Sequence, residues 1–214
     1  MSVRIIFVLL GLALASGGGL MYLLAQQPVI MVNSGIIDQP RHLVTAQMLA
    51  FTGSKTDKQA PEFQTKSTNG DEVKIAPSTG TRPQFVYFVM DGCPCSVDAE
   101  PLFHDLFTRF GSKIDFISVT DADQTKAKRW AGQMGVMYSV IPDPKKNIIH
   151  GFGATNSVFS ALVLPNGKIS KMWPGYSKDI LEEMNQRMST LTAVAEKPFD
   201  TKWAPIKRAS GCNF

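Results

Sequence analysis

The sequence predicts an α/β domain, a central mixed β-sheet flanked by helices, behind an N-terminal transmembrane helix. Three observations lead there. From residue 60 onward, short apolar runs rich in aromatic and β-branched residues alternate with segments whose apolar residues recur at helical spacing. Towards the end, two such runs flank Pro165-Asn166-Gly167, and Asn-Gly between strands is a strong hairpin signal. At the start, no charge appears between Arg4 and Asp38, and residues 5–25 form an apolar stretch of 21 residues broken only by Ser16 and four glycines.

Taken in order, residues 5–25 would span about 30 Å as a helix, the thickness of a bilayer's hydrocarbon core. This segment reads as a retained anchor. The competing reading is a cleaved signal peptide, with Ala13-Leu14-Ala15 as the small-residue cleavage site. Arg4 and the amino terminus are its only flanking positive charges, which orients the remaining chain towards the extracytoplasmic, periplasmic-type side. Residues 26–59 are polar and interrupted by Pro28 and Pro40, as in a stalk, with a short helix around residues 42–51.

Residues 84–90 (QFVYFVM) suit a buried strand. Leu102, Phe103, Leu106, Phe107 and Phe110 then share a helical face, stopped by Gly111. Residues 114–119 form the next strand. Asp121 or Asp123 caps a helix with Ala127, Trp130, Ala131 and Met134 on one stripe, ending at Gly135. Residues 160–164 and 168–173 make the hairpin. Ser177 caps a last helix that buries Ile180, Leu181, Met184, Met188 and Leu191. Parallel strands first, a hairpin last and helices on both faces describe a thioredoxin-like sheet over residues 60–191, followed by an irregular tail, residues 192–214.

Composition excludes several alternatives. With 44% hydrophobic and 19% charged residues among 214, the chain is neither disordered nor fibrous. A net charge of +4 without a long basic run argues against a nucleic-acid partner. Three cysteines are too few for a disulfide scaffold, so in an oxidising compartment they call for a redox reading.

Two of them lie in Gly92-Cys93-Pro94-Cys95-Ser96, between the first long strand and the first long helix. Unpaired N–H groups and the partial positive charge of a helix N-terminus favour thiolate, the nucleophilic form. A disulfide confined to Cys93-Pro94-Cys95 would be a small, strained ring. Cys212 is the third thiol. An extended tail of twenty residues reaches anywhere on the domain, so Cys212 reads either as resolving partner to Cys93 or Cys95 or as a free thiol.

Ala60-Pro61-Glu62-Phe63, the Asn69-Gly70-Asp71 turn before Val73, the strand leading to Gly92-Cys93-Pro94, and Pro101 eight residues beyond Cys93 resemble membrane-anchored thioredoxin-like proteins. These belong to the redoxin, or alkyl-hydroperoxide-reductase/thiol-specific-antioxidant, superfamily. The resemblance implies a thioredoxin fold and dithiol exchange, with Cys93 in the place of the first, nucleophilic cysteine. The implied partners are protein thiols and disulfides or a thiol reductant, with no cofactor. The chain also departs from the pattern. Ser96 stands where the second cysteine belongs, and Tyr87 where the strand carries an acid. Val158 and Phe159 stand near the place of the cis-proline. Met90 and Val86 replace the peroxiredoxin Thr and Pro.

The leading expectation is an anchored thiol-disulfide oxidoreductase using Cys93, with Cys95 or Cys212 as resolver. The alternatives are a copper-handling protein that joins Cys93 and Cys95 to His150, or a non-catalytic interaction module. His104, Lys145-Lys146 and Lys207-Arg208 read as surface, and Trp173-Pro174-Gly175-Tyr176 as packing.

Overall fold

A computed structural model describes residues 39–214. The predicted span at residues 5–25 lies outside these residues; among those described, no helix is long and apolar enough to cross a membrane. Chain order is α1 (Ala46–Ser54), β1 (Phe63–Lys66), β2 (Glu72–Ile75), β3 (Gln84–Val89), α2 (Pro94–Phe110), β4 (Asp115–Thr120), α3 (Gln124–Met134), β5 (Ser139–Pro142), α4 (Asn147–Phe152), β6 (Ser160–Val163), β7 (Ile169–Trp173) and α5 (Lys178–Thr192).

The main sheet has the order β5-β4-β3-β6-β7, with β1 and β2 as a separate hairpin. β3 pairs in parallel with β4 and antiparallel with β6, which makes it the centre of a mixed sheet. Every residue of β3 is buried, as its uninterrupted run QFVYFV requires of a strand covered on both faces. Alternate residues then serve different layers. Phe85, Tyr87 and Val89 face α2 and α5, while Val86 and Phe88 face α1 and α4.

The helices start and stop for local reasons. Asp123 caps α3 by accepting from the Lys126 N–H at 2.9 Å, and Gly135 ends it in the left-handed conformation, φ 64°. Ser177 stands at the N-cap position of α5, but its hydroxyl donates to Asp179 instead of accepting from the helix. The β6–β7 hairpin turns at Gly167 (φ 76°), with a register shift at Leu162/Val163. β5 and α4 carry no strong pattern of their own. They are short, and burial against β4 makes them regular.

The described part of the predicted stalk is not a free linker. α1 packs Phe51 and Met48 on the sheet, and the Asp57 N–H donates to the Ile169 carbonyl at 2.8 Å while the Ile169 N–H donates to Lys58. Polar composition hid this, because the pairing uses backbone groups that every residue carries. The tail, irregular in secondary structure, is likewise pinned to the domain.

Candidate active site

The site lies at the N-terminus of α2. Gly92 takes φ 76°, a conformation glycine adopts at no steric cost, and turns the chain from β3 into Cys93, the N-cap residue. Pro94 occupies the first helical turn, where its missing N–H costs nothing. Ser96 Oγ closes the turn by accepting from the Met90 N–H at 3.2 Å. Cys93 therefore sits at the positive end of a 17-residue helix.

The tail comes to it. The Val44 N–H donates to the Arg208 carbonyl at 3.0 Å and the Ser210 N–H to the His42 carbonyl at 2.8 Å. Tyr176 and Ala209 exchange both backbone hydrogen bonds. Beyond Gly211 the tail pairs antiparallel with residues 155–157. The Gly211 N–H donates to the Ser157 carbonyl at 3.0 Å, and the Ser157 N–H to the Cys212 carbonyl at 2.9 Å. The buried Asn156 side chain donates to the Gly211 carbonyl. A β-carbon on Gly175 would collide with the Ala209 carbonyl, and one on Gly211 with Ser157. Both glycines are demanded by this close approach.

The result brings Cys93 Sγ and Cys212 Sγ to 2.7 Å of each other, both unbridged. Ser157 Oγ donates to Cys93 Sγ at 3.3 Å, and the Cys212 N–H at 3.4 Å. The hydrogen bond from Cys95, together with those from Cys212 and Ser157, outweighs burial and brings the Cys93 thiol down to about 3. Cys93 is the thiolate of the group. Donation to that thiolate, followed by burial, holds Cys95 far above the ordinary thiol range. Burial and the Cys93 charge push Cys212 up to about 11. With the tail seated, Cys93 is only 2% exposed.

All three predicted cysteines are thus together. His150 is not with them. It is exposed on α4, whose Ile148, Ile149 and Phe152 pack on the other face of the sheet. The imidazole at the thiols is that of His42, with its ring nitrogen and the sulfurs of Cys95 and Cys212 all within 4.8 Å of one another. A histidine in a polar segment gave no signal of this. The Trp173-Pro174-Gly175-Tyr176 segment does more than pack, since it docks the tail, and the Tyr176 hydroxyl is held well above its usual range by burial and by Asp98.

Two further departures resolve in the structure. Tyr87, standing where an acid was expected, bonds through its hydroxyl to Glu100 of α2, as does Tyr138. Burial raises Glu100 to about 7. An acid on the apolar stripe of α2 was its visible trace. Val158, one of the two residues near the expected cis-proline, takes φ 66°, strained for a β-branched residue by roughly 1–3 kcal/mol. Its N–H, which proline lacks, donates to the Phe88 carbonyl at 2.7 Å. That turn aims the Ser157 backbone at the tail.

Residues 56–190 match the model of the AhpC/TSA family. The chain belongs to this family. As a redoxin it is an oxidoreductase with a thioredoxin-like fold. No curated protein matches its sequence. Among solved structures, it is similar to a protein of Chlorobium tepidum assigned as a thiol:disulfide interchange protein, DsbE. That match has 21% identity, covers 64% of this chain and 97% of that one, and has a TM-score of 0.58. The thioredoxin domain of a thiol-disulfide oxidoreductase of Bacteroides vulgatus matches at 16% identity over 62% and 97%, with a TM-score of 0.54. Peroxidoxin BcpB of Mycobacterium tuberculosis matches this redoxin at 14% over 66% and 98%, with a TM-score of 0.53. These likenesses carry the fold.

Proposed function

We propose that this redoxin is an exported, membrane-anchored thiol-disulfide oxidoreductase, with Cys93 as nucleophile and Cys212 as resolving thiol. The observation that carries this reading is the 2.7 Å approach of Cys212 Sγ to Cys93 Sγ on a tail strapped down by backbone hydrogen bonds. The apolar residues 5–25 support the anchor, and Cys93 at a helix N-terminus supports nucleophilic attack.

The Cys93 thiolate attacks one sulfur of a substrate disulfide, forms a mixed disulfide and expels the first substrate thiolate. Its negative charge is then gone, and with it the hydrogen bond and repulsion that helped hold the Cys212 proton. Cys212 gives up that proton, which ends on the expelled substrate thiolate, and attacks Cys93 Sγ, expelling the second substrate thiolate. The substrate has gained two electrons, and the domain holds a Cys93–Cys212 disulfide. A dithiol reductant restores it by the same exchange in reverse. Cys95, buried beside the thiolate, is the largest of the hydrogen-bonding influences that lower Cys93, with Cys212 and Ser157 adding to it. A polypeptide substrate requires the tail to lift, because the seated tail covers Cys93.

Non-reducing peptide mapping after diamide treatment tests this reading. A Cys93–Cys212 peptide is expected, with Cys95 recovered as free thiol. Recovery of a Cys93–Cys95 linkage with Cys212 fully alkylated would assign resolution to Cys95.

A further inference from the structure

Dithiol exchange needs two cysteines, yet this site gathers all three cysteines of the chain and one of its three histidines. They come from three separate places: Cys93 and Cys95 from the start of α2, Cys212 from the tail, His42 from the segment before α1. We infer that the reduced site binds one zinc ion through Cys93, Cys95, Cys212 and His42.

The donors are already close. The ligand atoms of His42, Cys95 and Cys212 lie within 4.8 Å of one another, and Cys93 Sγ touches Cys212 Sγ at 2.7 Å. Zinc–sulfur bonds of about 2.3 Å and zinc–nitrogen bonds of about 2.0 Å put tetrahedral donors roughly 3.3–3.8 Å apart. To reach that spacing the trio closes, the Cys93–Cys212 pair opens, and Cys93, which stands outside the mutual 4.8 Å of the other three donors, moves in beside Cys212. Three sulfurs and one imidazole select a borderline-soft ion with tetrahedral preference over calcium or magnesium, which take oxygen donors.

The scaffold supports the histidine as well as the thiols. Arg41 is paired with Asp98 of α2 at 3.0 Å, and the His42 carbonyl accepts from Ser210 two residues before Cys212. His42 is therefore tied both to the helix that carries two sulfurs and to the tail that carries the third. The imidazole is exposed, which leaves an entry path for the ion. Zinc and the disulfide exclude each other. When a disulfide oxidant takes two electrons from Cys93 and Cys212, the bond between their sulfurs uses up two of the four donors. The proposed site is thus open only in the reduced protein.

The test uses the full-length chain, reduced, with Zn²⁺ in competition with a chromophoric chelator and Co²⁺ as spectroscopic probe. One zinc per chain is expected. Co²⁺ should give intense sulfur-to-metal charge-transfer absorption and tetrahedral visible bands. Cys212→Ser should lower the charge-transfer intensity by about a third, and His42→Ala should weaken zinc binding at least about tenfold. Diamide oxidation should release the ion. Far-UV circular dichroism checks that each variant is folded. A pale octahedral Co²⁺ spectrum, no zinc retained by the reduced chain, or binding unchanged in folded His42→Ala and Cys212→Ser would each overturn the inference. Diamide mapping of the metal-free chain is read separately, so failure of the zinc site and failure of the exchange reading are distinguishable.

Discussion

The two faces of the central sheet are built to different specifications. Towards α1 and α4, Val86, Phe88, Ile117, Val119, Ile141, Phe152, Phe159 and Ala161 make an apolar layer, and the buried Gln84 and Asp143 side chains at its margins are hydrogen-bonded to backbone groups. Towards α2 and α5, the layer contains Tyr87 and buried Glu100, and Tyr87 is flanked in register by Ser118 and Ser160. The hydroxyls of those two serines find no partner among the described residues. The thiols stand on this second face. Buried polar groups cost stability unless they are bonded, so the unpartnered serine hydroxyls make the α2 side the costlier of the two layers. Stability and reactivity are divided between the faces, and substitutions on each should separate the two properties.

The largest effect belongs to the thiol itself. Cys93→Ser should abolish disulfide exchange while leaving the denaturation midpoint of the reduced chain nearly unchanged, measured by turnover and by urea unfolding. Gly211→Val should act on the same face through the tail. The side chain collides with Ser157, the tail lifts, and alkylation of Cys93 by a bulky maleimide should accelerate at least about tenfold. An unchanged alkylation rate would mean that the tail does not shield the thiol in solution.

The apolar face should answer in the opposite way. Phe88 is fully buried and packs against Phe152 with ring centroids 5.4 Å apart. Phe88→Ala should cost about 3–5 kcal/mol in denaturant unfolding. The pH dependence of Cys93 alkylation should stay as it is; a shift in that profile would show the two faces to be coupled.

A smaller effect sharpens the contrast. Burial raises Glu100 from an ordinary 4.5 to about 7, so the folded state holds a proton that the unfolded chain has released. Its contribution to stability is full below about pH 4.5 and is lost as pH rises to about 7, beyond which the curve levels. Glu100→Gln should flatten that slope and raise stability at pH 8 by a few kcal/mol, read from urea midpoints at pH 5 to 8. The smallest change is expected for Cys95→Ser, which weakens the hydrogen bond that contributes most to the acidity of Cys93. Alkylation of Cys93, flat from pH 5 to 9 in the parent, should acquire a measurable pH dependence while the Cys93–Cys212 disulfide still forms.

By itself the sequence determined the local features: the central strand as an unbroken apolar run, α2 and α5 from their stripes, α3 from Asp123 and Gly135, the hairpin from Asn166-Gly167, and a thiol at a helix N-terminus. Each depends on residues within a turn or two of one another, where spacing alone fixes which groups meet. Only the tertiary structure decided which thiol meets Cys93, which histidine stands beside it, and that Glu100 answers the acid missing at Tyr87. Backbone hydrogen bonds to residues 42–44, 155–157 and 176 hold the tail, and such bonds leave little trace in side-chain pattern. His42 and Cys212 are 170 positions apart in the chain, and only the closed fold brings that separation down to bonding range.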